Sequence, residues 1–372
     1  MSKSPAELGY HMPAEWEPHA ATWLSWPHNA TDWPGKFEPI RWVYAEIIRE
    51  LTRGERVRLL VNSQRDETVA RRVMRRSGVD LDRIDFIHIP TNRSWTRDTG
   101  PIFVATRASL AVVDFHFNAW AKYEDYDLDA QLPATSAKRS GRKLFEAQSG
   151  KRKFTLEGGA IDINGGGTLI TTEECMLDDK IQPRNPGLSR SDIECALRDH
   201  LGVTNILWLG RGIAGDDTHG HIDDLCRFVS RDTAILSREK NSADDNHNAL
   251  EENRERLQGF RLENGKRLNV IDLPMPAPLY FDGRRLPASY ANFYIANSSV
   301  LVPTFNDPND RIALGILSDL FPDRRVVGIH SVDLVWGLGT IHCMTQQEPV
   351  GVDLQSEPPA LARGQFVIGP AR

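Results

Sequence analysis

The chain has 372 residues, 40% hydrophobic and 26% charged, with a formal net charge of −6. These are the proportions of an ordinary globular protein able to bury a sizeable core, and they exclude a basic nucleic-acid binder. No apolar stretch nears the ~18 residues of a membrane span, and neither a signal segment nor a disulfide framework is visible, so a cytoplasmic protein with reduced thiols and no membrane partner is expected.

Between positions 36 and 53, Ile40, Val43, Ile47, Ile48 and Leu51 fall on one helical stripe that Gly54 stops. RVRLLV (56–61) then reads as a buried strand, DETVARRVMRRSG (66–78) as a helix and RIDFIHIP (83–90) as a strand. Such a β–α–β run implies parallel pairing with helices packed outside. NGGG (164–167) reads as a turn between strands and lacks the Lys-Ser/Thr of a phosphate loop. The alternation continues with a helix over 189–202, a capping box at Ser191 and Glu194, and a strand at 205–209. Helices over 242–260 and 307–324 and strands over 267–274 and 325–329 follow. No Pro- or Ser-rich linker divides the chain, so residues 1–372 are read as one domain.

A second pattern overlies the first, in which polar tips recur with strands. SWTRDTGPIFV (94–104), FTLEGGAIDI (154–163), DDTHGHIDDLCRFV (216–229), YANFYIANSSVLVP (290–303) and VWGLGTIHCM (335–344) share it. Their markers Asp98, Glu157, Asp223, Asn292 and Cys343 lie roughly 50 to 70 residues apart, which suggests five like units whose tips meet on one axis.

Cys343, set between a glycine turn and a polar tail, is the candidate nucleophile. His342 is expected to point to the opposite face of a strand, so the base must come from elsewhere in the chain. Cys175, Cys195 and Cys226 stand in apolar or helical contexts and read as inert small hydrophobes. In GDDTHGHIDD (215–224), strand spacing would turn His219, His221 and Asp223 one way. That run admits a metal-dependent hydrolase using His219, His221 and Asp223, since it approaches the HxHxDH pattern of metallo-β-lactamase-like enzymes, although Asp224 stands where a further histidine is needed. It also admits a metal-free reading with His221 as acid and base and Asp223 as a cation clamp. Asp98 beside Trp95 supplies a carboxylate and an aromatic face for a flat cation. Trp16, Trp23, Trp26 and Trp33, interleaved with prolines, read as a packed N-terminal cap.

Taken in order, WTRDTGP, LEGGAID, GHIDD, YANFYIAN and GLGTIHCMTQQEP closely resemble the agmatine deiminase group, which includes the bacterial type of peptidyl-arginine deiminase. MPAEWEPHAATWLSWPH (12–28) resembles its N-terminal signature, so the likeness spans essentially the whole chain. The resemblance implies a pentein fold: an α/β, five-bladed, pseudo-symmetric propeller of ββαβ-type units. It implies hydrolysis of agmatine, a small cationic guanidine, to N-carbamoylputrescine and ammonia, a step toward putrescine. Cys343 would be the nucleophile, His221 the acid and base, Asp98 and Asp223 the guanidinium clamps, with Trp95, Glu157 and Asn292 as substrate contacts and no metal or organic cofactor. Homo-oligomers are common in the group. A deiminase of arginine in peptides, or of another guanidine, is the alternative with the same chemistry; an inactive binding protein for cations would be expected to have lost one of the four catalytic residues. Two positions depart from the group's pattern: Ala121 and Lys122 replace a Gly-Gly pair after Asn-Ala-Trp, and Leu338 interrupts the glycine turn before Cys343. Both are expected near the substrate's tail.

Overall fold

The computed structural model describes residues 3–351. Phe37–Leu51 and Gln64–Arg76 are helices flanking the strand Arg56–Val61, as the apolar spacing demands. Ile40, Ile47, Ile48 and Leu51 are fully buried and Val43 partly so, which confirms the stripe. The helix Arg190–Leu201 is capped two residues earlier than expected, by Ser189 and Asp192 rather than Ser191 and Glu194. Ser191 already lies inside the first turn, where its side chain cannot cap.

Among the described residues, five sheets of three or four strands share one pattern. In four of them an antiparallel pair is followed by a helical crossover to a third, parallel strand. These are Ile102–Ala105 with Leu110–Asp114 and Lys143–Glu146; Asp162–Ile163 with Thr168–Thr172 and Asn205–Leu209; Cys226–Ser230 with Thr233–Arg238 and Asn269–Pro274; and Tyr294–Ile295 with Ser299–Thr304 and Arg325–His330. The crossovers contain Leu132–Ser140, Arg190–Leu201, Asn246–Gln258 and Pro308–Leu320. In the fifth sheet the pattern is split across the chain: His19–Ser25 pairs in parallel with Arg56–Val61 and antiparallel with Gln346–Pro349, so the C-terminal strand closes the N-terminal sheet. Asn164 and the glycines after it form the expected turn between Asp162–Ile163 and Thr168–Thr172. No helix among the described residues is long and apolar enough to cross a membrane.

The five polar tips lie at the ends of these sheets as single short turns: Thr96–Thr99, Gly158–Ala160, Ile222–Asp224, the turn at Ser289–Asn292 and Ile341–Met344. Four hydrogen-bonded links and one charge contact join them into a closed series. Gly159 N donates to Asp98, Ser289 Oγ to the Asp224 carbonyl, His342 N to the Asn292 carbonyl, and Arg97 Nε to the His342 carbonyl. His221 and Glu157 complete it, 3.6 Å apart.

Beneath the tips lies a buried ion network. Glu15 accepts from Arg97, Arg227 and His342 at 3.1, 2.9 and 2.8 Å, and Arg227 also holds Asp162 and the Phe293 carbonyl. Burial opposes the charge of Glu15, but Arg227, His342 and Arg97 together hold its carboxyl well below the usual range. Removing one partner of such a network strands the others in a low dielectric. Arg227→Met is therefore expected to destabilise the fold by ~3–5 kcal/mol, read as a lower urea midpoint with unchanged slope.

Candidate active site

Cys343 lies in the one-turn helix Ile341–Met344, not in the strand its sequence suggested. Asn292 builds this turn. Its side-chain carbonyl accepts from Thr340 Oγ1 at 2.7 Å and His342 N at 3.1 Å, while its Nδ2 lies 3.1 Å from Cys343 Sγ. Leu338 adopts φ 70°, a left-handed conformation that costs a non-glycine residue about 1–2 kcal/mol, and its side chain faces the cavity above the thiol. Gly339 is a glycine for space: a Cβ there would sit 3.0 Å from both Cys343 Cβ and the Trp95 ring.

His221 is almost fully buried, with Nδ1 3.9 Å from Asp98 and 4.0 Å from Asp223, and Nε2 3.6 Å from Glu157. The expected strand at 215–224 is broken, because His219 and Gly220 take φ 64° and 93°. His219 consequently turns to Asp178, at 2.7 Å, and does not share a face with His221 and Asp223. The three donors of the metal-hydrolase reading are therefore not gathered. A different trio, Glu157, Cys175 and His221, has its donor atoms within 4.8 Å of one another, but Arg184 already occupies Glu157 at 2.9 Å.

Each carboxylate has its own support. Asp98 accepts from Trp120 Nε1 and Gly159 N, both at 2.9 Å. Asp223 accepts from His342 Nδ1 at 2.7 Å and lies 3.8 Å from the thiol, while its Oδ1 has no partner. Trp120 reaches Asp98 from a turn in which Ala119, Trp120 and Ala121 all have positive φ, a strained backbone of the kind found where side-chain aim matters.

Burial sets the protonation states. Burial, offset in part by His221, pushes the Asp98 carboxyl up to about 6, with Asp223 and Glu157 adding to the rise. Burial disfavours the Glu157 charge, yet Arg184 and His221 overcome it and bring the group down to about 2. Burial also disfavours a charged His221, but Asp98, Cys175 and Glu157 outweigh it and hold the imidazole well above its ordinary value. Burial and the fields of Asp223, Asp224 and Asp98 push the Cys343 thiol far up. At rest His221 is thus held protonated and Cys343 neutral, both in the field of Asp98 and Asp223, which a bound cation would relieve.

Cys343, Asp98 and Trp95 line a cavity of about 310 Å³, walled further by Trp120, Tyr123, Trp336 and Leu338. Of the sequence candidates, the structure brings Cys343, His221, Asp98, Asp223, Trp95, Glu157 and Asn292 together. Of these, Cys343, Asp98 and Trp95 line the cavity, while His221, Asp223, Glu157 and Asn292 are buried beside it and do not. Sequence reasoning missed Trp120, Arg184, His342 and Glu15, whose partners lie far away in the chain. Cys175, read as a small buried hydrophobe, is fully buried in a hydrophobic cluster, and its sulfur also lies within 4.8 Å of a His221 ring nitrogen.

A buried thiol and a carboxylate on an aromatic-walled cavity, with an imidazole and a second carboxylate beside them, are the parts that a cysteine hydrolase for planar cations needs. Residues 11–349 match the model of the Porphyromonas-type peptidyl-arginine deiminases, and the chain belongs to that family. Agmatine deiminases of Ectopseudomonas mendocina and Medicago truncatula are 34% and 35% identical to it, over 94% of this chain and 98% and 99% of their own. The agmatine deiminase structure of Enterococcus faecalis superposes with a TM-score of 0.86 at 30% identity, covering 94% of this chain and 98% of its own. That of C. jejuni with substrate bound gives 0.81 at 30% identity, covering 92% and 97%. The amidinotransferase SxtG of Microseira wollei, 13% identical with a TM-score of 0.51 over 93% and 99%, shares the mixed α/β fold.

Gly159 tests how closely the parts are packed. A Cβ there would meet His221 Nδ1 at 2.5 Å and Asp98 at 2.9 Å. Gly159→Ala is expected to lower turnover of a guanidine by about 10²-fold while thermal stability shows the fold retained. The Asp98 carboxyl, at about 6, also sets a pH dependence. It is ionised above that value and neutral below it, so affinity for a guanidinium should fall up to tenfold per unit as pH drops through about 6 and level off above it. Titration calorimetry should find this limb in the native protein and not in Asp98→Asn.

Proposed function

We propose that the protein is an agmatine deiminase, hydrolysing the guanidine C–N bond of agmatine to give N-carbamoylputrescine and ammonia. The observation that carries the reading is the pair of buried carboxylates flanking Cys343, Asp98 and Asp223, with Asp223 Oδ1 unpartnered. Two carboxylates beside a thiol are costly to bury unless a cation completes them, and a guanidinium offers each a planar set of N–H donors. The relatives named agmatine deiminase support the choice of substrate.

In this mechanism the guanidinium stacks by Trp95 and is held by Asp98 and Asp223. Its charge offsets the field that keeps the thiol neutral, and Cys343 gives its proton to solvent water, from which the released ammonia recovers it. The thiolate attacks the guanidinium carbon, forming a C–S bond and a tetrahedral adduct. His221, already protonated, gives its proton to the departing nitrogen; the C–N bond breaks and ammonia leaves. The imidazole then takes a proton from water, hydroxide adds to the thiouronium carbon, and the C–S bond breaks to release the ureido product and free thiol. Glu157, anchored by Arg184, keeps His221 charged until its proton is needed, and Asn292 holds the turn that presents Cys343. None of these steps calls for a metal or an organic cofactor.

The five sheets with one strand pattern and the closed series of tips support a five-bladed propeller of ββαβ-type units forming one catalytic domain, with the site on the common axis. A cytoplasmic role in converting agmatine toward putrescine is part of the same reading.

The test compares ammonia and ureido product from agmatine, free arginine and an arginine peptide. Wild type should turn over agmatine, and Cys343→Ala should lower the rate by at least about 10⁴-fold with substrate affinity retained. Turnover of the peptide alone would move the protein to peptidyl-arginine deimination with the same residues in the same roles.

A further inference from the structure

The outer end of the active-site cavity is built differently from its floor. Asp217 lies on its wall and is the carboxylate best placed to receive a cationic tail, but its oxygens are already taken. Oδ1 accepts from Lys122 Nζ at 2.7 Å and from Arg284 Nη2 at 2.6 Å, and Oδ2 accepts from the Tyr123 hydroxyl at 2.6 Å. Asp32, the other wall carboxylate there, is held by Arg93 at 2.6 Å. Arg93 lies over the Tyr123 ring and is itself shared with Asp125.

At Asp217 two cations, Lys122 and Arg284, thus meet one carboxylate, while Arg93 is shared between Asp32 and Asp125. Arg284 comes from a hairpin, Tyr280–Phe281 with Arg284–Arg285, whose Phe281 packs 4.2 Å from Trp336 on the cavity wall. Asp217 already takes three of the roughly four donors a carboxylate can accept, two of them cationic, so an incoming ammonium finds its charge largely answered. An incoming carboxylate need displace nothing. Lys122 and Arg284 are 37% and 49% exposed, each has N–H groups beyond the one given to Asp217, and both stems are long enough to swing.

From this juxtaposition we propose that the cavity accepts guanidines whose far end is a carboxylate, with Lys122 and Arg284 as the specificity-determining residues that bind it. The inference rests on the guanidine hydrolysis proposed above and names a further substrate class for the same site. The bond changes are those already described: an ω-guanidino acid and water give the ω-ureido acid and ammonia through the Cys343 adduct.

The experiment measures kcat and KM for agmatine, 4-guanidinobutanoate and 5-guanidinopentanoate with the full chain at low salt. Wild type should hydrolyse at least one acid with kcat/KM equal to or above that for agmatine. Lys122→Ala and Arg284→Ala should each lower kcat/KM for that acid about tenfold or more, chiefly through KM, and leave agmatine unchanged or improved. Lys122→Glu should swing the preference toward agmatine, and added salt should narrow the difference in wild type. Agmatine turned over while both acids are left untouched would overturn the inference and leave the deiminase reading standing. So would Lys122→Ala and Arg284→Ala variants, folded by their melting curves, that lose both substrates equally. Silence of wild type on all three guanidines would overturn guanidine hydrolysis itself, and the inference with it.

Discussion

Four carboxyl groups are buried around one thiol and one imidazole, and most of the molecule's polar architecture answers that fact. A buried charge without a partner is one of the largest penalties a fold can carry. Glu157 meets it with Arg184, which is fixed in turn by the Gln182 and Thr218 carbonyls. Asp223 meets it with His342, and His342 with Glu15, Arg97 and Arg227. Asp98 has only neutral donors, Trp120 and a backbone amide, and its carboxyl rises to about 6. Asp224, beside Asp223, is likewise held well above the usual carboxylate range, chiefly through burial. The charge is thus balanced at the rear of the site and left unbalanced at the front, where a cation can be bound.

The same arrangement explains why the site is built from turns rather than from regular elements. A strand or long helix presents side chains at fixed intervals of face and rise. Five single-turn tips can each aim one group at a common point, and the sheets behind them supply rigidity. The cost of this freedom is local strain, and it falls on the Ala119–Ala121 turn that directs Trp120 to Asp98 and on Leu338 before Cys343. Glu15 shows how far the support reaches. It comes from the N-terminal segment, yet it touches Arg97, Arg227, His342 and the Ile295 amide, one group near each of four tips or their strands. Trp33, from the same tryptophan-rich segment, packs behind Trp95 at 5.2 Å and donates to the Leu334 carbonyl. Trp33 therefore braces the cavity wall at Trp95.

Regular elements were legible because their signals are local. The stripe Ile40, Ile47, Ile48 and Leu51, the run Arg56–Val61 and the segment Asn205–Leu209 lie where spacing placed them. Spacing failed where the backbone leaves regular geometry. Extended register was assumed for His219, His221 and Asp223, and two positive φ angles undo it. Strand alternation was assumed for His342 and Cys343, and a helical turn replaces it. The conclusion that His342 is not the base of Cys343 agrees with the geometry for another reason: its ring is spent between Asp223 and Glu15. Cys175 illustrates the same limit, since nothing in TTEECML marks a contact with a histidine 46 residues on.

By itself the sequence determined the alternation of helices and strands, the five polar tips and the residue types able to perform guanidine chemistry. Those properties reside in neighbouring residues and survive in a one-dimensional reading. Which histidine lies among the carboxylates, which carboxylate is balanced and which is left open, and which cations crowd the mouth of the cavity were decided only in the folded chain. Field, burial and hydrogen-bond geometry depend on distances of a few ångströms between groups such as Glu15 and His342 or Lys122 and Asp217, which stand far apart along the chain.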